Sequence, residues 1–107
     1  MSLSKRRGQT PVLVDPPDEI GDGSAAVTTA GTRVQLTTTS TPCRLVNIFA
    51  EASNTGNIFV GGSTVSSTSG MVLEQARSTD WFPIDDLSKI YIDSEQDTDG
   101  VQYSYVV

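Results

Sequence analysis

Hydrophobic and polar residues alternate along much of this chain with a period of two. The clearest case is the run 43–51, CRLVNIFAE, where Arg44, Val46, Ile48 and Ala50 interleave with Leu45, Asn47, Phe49 and Glu51. A pleated strand turns successive side chains to opposite faces, so this period, carried by β-branched and aromatic residues, predicts a strand. SNTG at 53–56 supplies a turn, because Asn and Gly tolerate the positive φ that a hairpin reversal usually needs. Asn57, Ile58, Phe59 and Val60 then return, and Gly61-Gly62 end the run. The pattern predicts a hairpin over 43–60 as the nucleus of a sheet.

Shorter elements flank it. Residues 26–29 read as a weak strand or the end of a linker, and 30–32 as a turn. In 33–37, Val34 and Leu36 share a face. Pro42 stands at the entry to the main hairpin, a strand-edge position where a missing donor is tolerated. GGSTVSSTSG at 61–70 is a loop or ragged edge strand with Val65 as its apolar anchor, and Met71, Val72 and Leu73 form a short strand. TDWFPI at 79–84 holds the largest side chains, and Trp81 is expected in the core or an interface. IDDLS at 84–88 predicts a tight turn or one turn of 3₁₀ helix with Asp side chains capping backbone donors. Ile90 and Ile92 point inward from the next strand, 94–100 is an acidic turn, and Val101, Tyr103 and Tyr105 share a face of the last. Seven or eight short strands without a helix predict an all-β fold, a small antiparallel β-sandwich or jelly-roll-like barrel.

Composition narrows the function classes. A chain of 107 residues allows one domain with a modest core. Hydrophobic content of 36 % and abundant Ser and Thr suit a thin sandwich with one polar face per strand, or a domain completed by neighbours. A net charge of −6 argues against a nucleic-acid groove, which needs a clustered basic surface. The absence of His removes the commonest general base, metal ligand and pH switch. Cys43 is alone, so it forms no intramolecular disulfide; it reads as a small buried hydrophobe in a protein made in a reducing compartment. No apolar run approaches the roughly 18 residues of a membrane span, and no signal-like segment is seen, so a soluble protein is expected.

The residues before the strands form a separate region, 1–24, ahead of a β-domain at 25–107. Lys5, Arg6 and Arg7 are contiguous, and QTPVLV at 9–14 is a brief apolar run in a polar leader. The bland reading of the tip is a frayed tail; the sharper one is an arm that meets an acidic surface on another subunit. Val12, Leu13 and Val14 lack a local partner and suit addition to a neighbour's sheet. Pro16-Pro17 disfavours helix and imposes an extended path, and 20–24, IGDGS, reads as flexible linker. Fully extended, this arm reaches on the order of 80 Å.

Three patterns imitate chemical sites. Glu95, Asp97 and Asp99 before Gly100 imitate the start of a calcium loop. The first ligand type, the missing closing Glu (Val106 stands there) and the lack of flanking helices favour a solvated acidic turn, with no metal and no cofactor expected. Asp85 and Asp86, with Asp80 nearby, resemble a carboxylate pair, but adjacent carboxylates on a turn do not face one substrate across a cleft. VGGSTV at 60–65 lacks the Lys and helix of a phosphate loop. No enzymatic activity is expected.

A resemblance adds to this reading. A Thr/Ser-rich stretch before Pro-Cys at 39–43, Asn-Thr-Gly at 54–56, Val-Gly-Gly-Ser at 60–63 and IDDLSKIYID at 84–93 occur in that order. Over residues 30–107 the chain resembles the small β-rich virion proteins of tailed bacteriophages. The resemblance implies a structural component of the particle, most plausibly a decoration or cement protein on the phage head surface, synthesised in the host cytoplasm. Its expected partners are the major capsid protein or other virion proteins, and its expected state is a homo-oligomer, trimer or dimer, with no nucleic acid and no membrane. The arm lies outside the resemblance; Lys5, Arg6, Arg7, Val12, Leu13 and Val14 are its candidate attachment residues, to be tested by deleting 1–20. Trp81, Phe82, Tyr103 and Tyr105 are candidate interface aromatics. The alternatives are a tail, neck or fibre component, a host-glycan-binding module in which those four and Tyr91 stack on sugar, and a cellular adaptor domain.

Overall fold

The computed structural model describes residues 19–107. Eight strands form: β1 (Ile20–Ala26), β2 (Val34–Gln35), β3 (Leu45–Ala50), β4 (Ile58–Gly61), β5 (Met71–Leu73), β6 (Phe82–Pro83), β7 (Tyr91–Ser94) and β8 (Gly100–Val106). A 3₁₀ turn, Leu87–Lys89, separates β6 from β7, where capping by Asp was expected: the Asp86 side chain accepts from the Ser88 N–H. Two four-stranded sheets result, ordered β1-β8-β3-β6 and β2-β7-β4-β5, with every pairing antiparallel.

This order describes one long hairpin, rolled up. β1 pairs with β8, β2 with β7, β3 with β6 and β4 with β5, so the tip of the hairpin lies between β4 and β5. Rolling brings β3 against β8 and β4 against β7 as well. That is the connectivity of an eight-stranded jelly roll, a two-sheet sandwich. The tip is the Gly/Ser/Thr loop 62–70, and Val65 anchors it at 2 % exposure.

The hairpin expected over 43–60 does not form. β3 and β4 belong to different sheets, and the turn between them crosses the sandwich. The reason is Asn54, which is 2 % exposed instead of standing in water. Its Nδ2 donates to the Gly100 carbonyl at 2.9 Å, and its Oδ1 accepts the Gly100 N–H at 2.9 Å. Asp99 accepts the N–H groups of Thr55 at 3.0 Å and Gly56 at 2.8 Å. These bonds pin the turn to the start of β8 and send β4 into the opposite sheet. Val46, Ile48 and Ala50 of β3 then meet Ile58 and Val60 of β4 in one core, with Leu36, Leu87, Ile92 and Val101.

The linker expected at 20–24 is also strand. β1 runs in continuous register with β8, from Ile20 opposite Val106 to Ala26 opposite Gly100, so the expected boundary between 24 and 25 falls inside a strand. Glycines that suggest flexibility serve here as space. Gly21 and Gly23 lie opposite Tyr105 and Tyr103, whose rings occupy the volume a Cβ would need. A bare backbone flanked by aromatic rings keeps this strand packed where its own side chains contribute nothing.

Gly100 carries the tightest backbone constraint of this sheet. A Cβ there would stand 2.5 Å from the Ala25 carbonyl oxygen and 3.1 Å from the Ala26 Cα, main-chain atoms that cannot move without parting β1 from β8. Gly100→Ala is expected to lower stability by about 1–3 kcal/mol in urea denaturation. Gly62→Ala, which meets no atom within 4 Å, is the control expected to stay neutral.

Candidate docking face and its open edge

Both sheets carry apolar residues on their outer faces. On the second sheet, Phe59 alternates outward from Ile58 and Val60 and is only 4 % exposed, while Val72 beside it on β5 is 57 % exposed. On the first, β3 turns Val46, Ile48 and Ala50 inward and leaves Leu45 37 % and Phe49 43 % exposed. The strand register aligns Ile20, Val106, Leu45 and Pro83 as one outward row across all four strands. Ile20 is 73 % exposed. Trp81, immediately before β6, is 47 % exposed. A shallow groove of about 480 Å³ beside this row is lined by Asp22, Ser24, Phe49, Gln102 and Ser104. Exposed apolar side chains aligned across a sheet make this face a candidate interaction surface.

Polar features complete the face. Asn47, outward from β3, is 8 % exposed, and its Oδ1 has no hydrogen-bond partner among the described residues. A buried acceptor left unpaired costs about 1–3 kcal/mol. β1 forms the sheet's long open edge: seven residues paired to β8 on one side and to no described strand on the other. The Val107 N–H donates to the Glu19 carbonyl and the Val27 N–H to the Asp99 carbonyl, so odd-numbered residues of β1 direct their main-chain groups at β8. Antiparallel alternation then aims the N–H and C=O groups of Ile20, Asp22, Ser24 and Ala26 out of the edge. Asp22, in the middle of that edge, is exposed.

The expected site residues fall into separate places. Lys5, Arg6, Arg7, Val12, Leu13 and Val14 lie outside the described residues. Trp81 is exposed just before β6, outside the core. Phe82, Tyr103 and Tyr105 instead pack against the core, the two tyrosine rings 6.3 Å apart. Burial pushes the Tyr103 phenol upward in pKa, with Tyr105 and Asp22 adding to it. Tyr91 belongs to the other sheet. The row of Ile20, Leu45, Pro83 and Val106 was not anticipated, since only the register brings four distant residues together.

Carboxylates that imitate chemical sites bind main chain. In the acidic turn, Asp93 accepts from Gly31 N, Glu95 from Asn57 N, Asp97 from Ala30 N and Asp99 from Thr55 and Gly56. Among the described residues, no group of three His, Cys, Asp or Glu is placed to hold a metal ion. Asp85 pairs with Lys89 at 2.9 Å on the exposed surface, where such a pair adds little. The Cys43 thiol is buried and donates to the Ile84 carbonyl at 3.2 Å. Burial raises its pKa, with Asp86 and Asp85 adding to the effect, which opposes thiolate reactivity.

Comparisons of the chain with protein-family models, with curated proteins and with solved structures found no match.

Asp86 makes a pH-dependent clasp. Its carboxylate accepts from Ser40 Oγ at 2.6 Å, Thr41 N at 2.9 Å, and Ser88 N and Oγ at 2.9 and 2.8 Å, joining the β2–β3 connection to the 3₁₀ turn. The Ser40 bond first, then those from Thr41 and Ser88, hold its pKa well below the ordinary carboxylate value of 3.8. A depressed folded-state pKa contributes stability above the unfolded value and loses it as pH falls toward the folded one. Melting temperature is therefore expected to decline below about pH 4. Asp86→Asn should be less stable at neutral pH and show a shallower acid decline; an unchanged acid profile would assign the decline to other carboxylates.

Proposed function

We propose that this chain is a non-enzymatic structural protein of a tailed-phage particle, a decoration or cement protein that binds the head shell and braces it. The carrying observation is the apolar row Ile20, Val106, Leu45 and Pro83 on one sheet face, beside the open edge of β1, with Trp81 exposed just before β6. A surface of that composition suits contact with protein. The carboxylates of the acidic turn and Asp86 serve the fold, and the chain has no His, which supports a binding role over a catalytic one. Jelly rolls serve in viral shells and in lectins alike, so the fold leaves both readings in view.

Placement of the aromatics favours the shell reading over the glycan one. Stacking on a sugar needs rings presented together, whereas Trp81 is exposed, Phe82, Tyr103 and Tyr105 pack toward the core, and Tyr91 sits on the other sheet. A brace of this kind gains from many weak contacts repeated over a symmetric shell. The arm and the outer face are its two proposed attachment elements. Because Ile20 belongs to β1, a test of the arm should remove residues 1–14 and leave the strand intact.

Quantitative mass spectrometry of purified particles, referenced to the major coat protein, tests the reading. Copies in the hundreds per particle are expected. About a dozen or two would assign the chain to a vertex, neck or tail, and absence from particles would overturn the virion role.

A further inference from the structure

The open edge of β1 is unusual in what it leaves unprotected. It is seven residues long, its N-terminal residue Ile20 is the most exposed large hydrophobic among the described residues, and the one charge on it is Asp22. Natural sheets shield such edges with lysines, prolines, bulges or a covering segment, because free N–H and C=O groups recruit another strand. Here none of the edge-directed residues, Ile20, Asp22, Ser24 and Ala26, is Lys or Pro. The edge is built to be paired.

The same chain contains a segment of matching chemistry. Residues 9–14, QTPVLV, hold three consecutive β-forming apolar residues, and the first fourteen residues carry Lys5, Arg6 and Arg7 with no carboxylate. Residues 19–107 hold eleven of the thirteen carboxylates against four cations, so the charges of leader and domain are complementary. We propose that residues 9–14 of a second copy of this chain add as a fifth strand along the open edge of β1. Alternate residues of the added strand then continue the outer row beyond Ile20, and its main chain satisfies the outward groups of Ile20, Asp22, Ser24 and Ala26.

The connecting residues select a second copy over the same one. Self-pairing would need the chain to reverse through Asp15, Pro16, Pro17 and Asp18 directly into Glu19 and Ile20. A proline forces the residue before it out of the α region, so consecutive prolines oppose the tight turn that reversal requires. Extended at about 3.1 Å per residue, 15–19 instead spans roughly 15 Å, enough to carry the arm off its own sheet to a neighbour's. This pairing does not depend on the virion reading, since it concerns the chain alone in solution.

Analytical ultracentrifugation of the full chain, with two variants that break opposite halves of the contact, tests it. Ser24→Pro removes an edge-directed N–H while leaving the β1–β8 ladder its bonds, and Leu13→Asp spoils the arm. The wild type is expected to self-associate, and each variant to do so at least tenfold more weakly. Mixing the two should restore association as a complex of two chains, because one supplies an intact arm and the other an intact edge. Far-UV circular dichroism checks that Ser24→Pro is folded; Ile20→Lys replaces it if it is not. A wild type that stays monomeric, as an arm folded onto its own edge would make it, overturns the proposal. So does undiminished association of both Leu13→Asp and the folded edge variant, or mixing without a two-chain complex. Copy number on particles is untouched by any of these results.

Discussion

Asn54 holds both main-chain polar groups of Gly100 through its side-chain amide, and this exchange sets the route of the chain through the two sheets. Each bond spans 46 residues and is buried. The Gly100 carbonyl also accepts the Glu51 N–H, but leaving the Gly100 N–H unpaired there would cost about 1–3 kcal/mol, so the turn at 53–56 is held where it stands. Gly100 opens β8, the strand that pairs with both β1 and β3, and neighbouring Asp99 binds Thr55 and Gly56 just ahead of β4. Both sheets are thereby referenced to one corner. Asp86 plays the corresponding part for the connection between β2 and β3, through Ser40, Thr41 and Ser88. The polar corners orient a core whose buried residues, mostly aliphatic, specify little by themselves.

What the sequence made legible follows from locality. Alternation along β3 and β8 sorts residues into the two faces the sheet shows, and Ile90 and Ile92 lie inward as expected, because a period of two is a property of each strand alone. Asn-Thr-Gly likewise marks a change of direction, although neither Asn54 nor Gly56 takes the positive φ expected there. Whether that turn closes a hairpin or crosses between sheets depends on Gly100, far away in sequence, and local chemistry is the same in both cases. β1 failed as a linker for a related reason: Gly21 and Gly23 look flexible until Tyr105 and Tyr103 are placed beside them. Trp81 was expected in the core or an interface on the strength of its size; Phe82 takes the core position, and Trp81 before it is exposed. The outer row needed the register of four strands, so no single stretch of sequence contains it.

The acidic residues illustrate how composition misleads about chemistry. Glu95, Asp97 and Asp99 resemble metal ligands in spacing, and Asp85-Asp86 resembles a catalytic pair. In the folded chain the three turn carboxylates and Asp86 collect N–H groups from loops that otherwise have no partner. A domain with short strands has many such loops, and carboxylates are strong acceptors for them. The negative charge this accumulates is then available to attract a basic segment, so a solution to a folding problem also gives the domain an electrostatic preference.

Pairing an arm with an edge has consequences for symmetry. Arm and edge are different surfaces, so one copy can give its arm to a second while receiving from a third. Such a chain of exchanges stays open unless the rotation between copies closes it. Reciprocal exchange closes at two copies and cyclic exchange at three or more; in either case every edge is covered and every arm is used. A connection of only five residues would limit how far apart successive domains stand, which favours small closed rings over distant partners. Closure also turns a marginal contact into a durable one, since releasing a copy from a ring breaks two pairings instead of one. An edge strand that would threaten aggregation in an isolated domain is, in a closed ring, the element that sets its size.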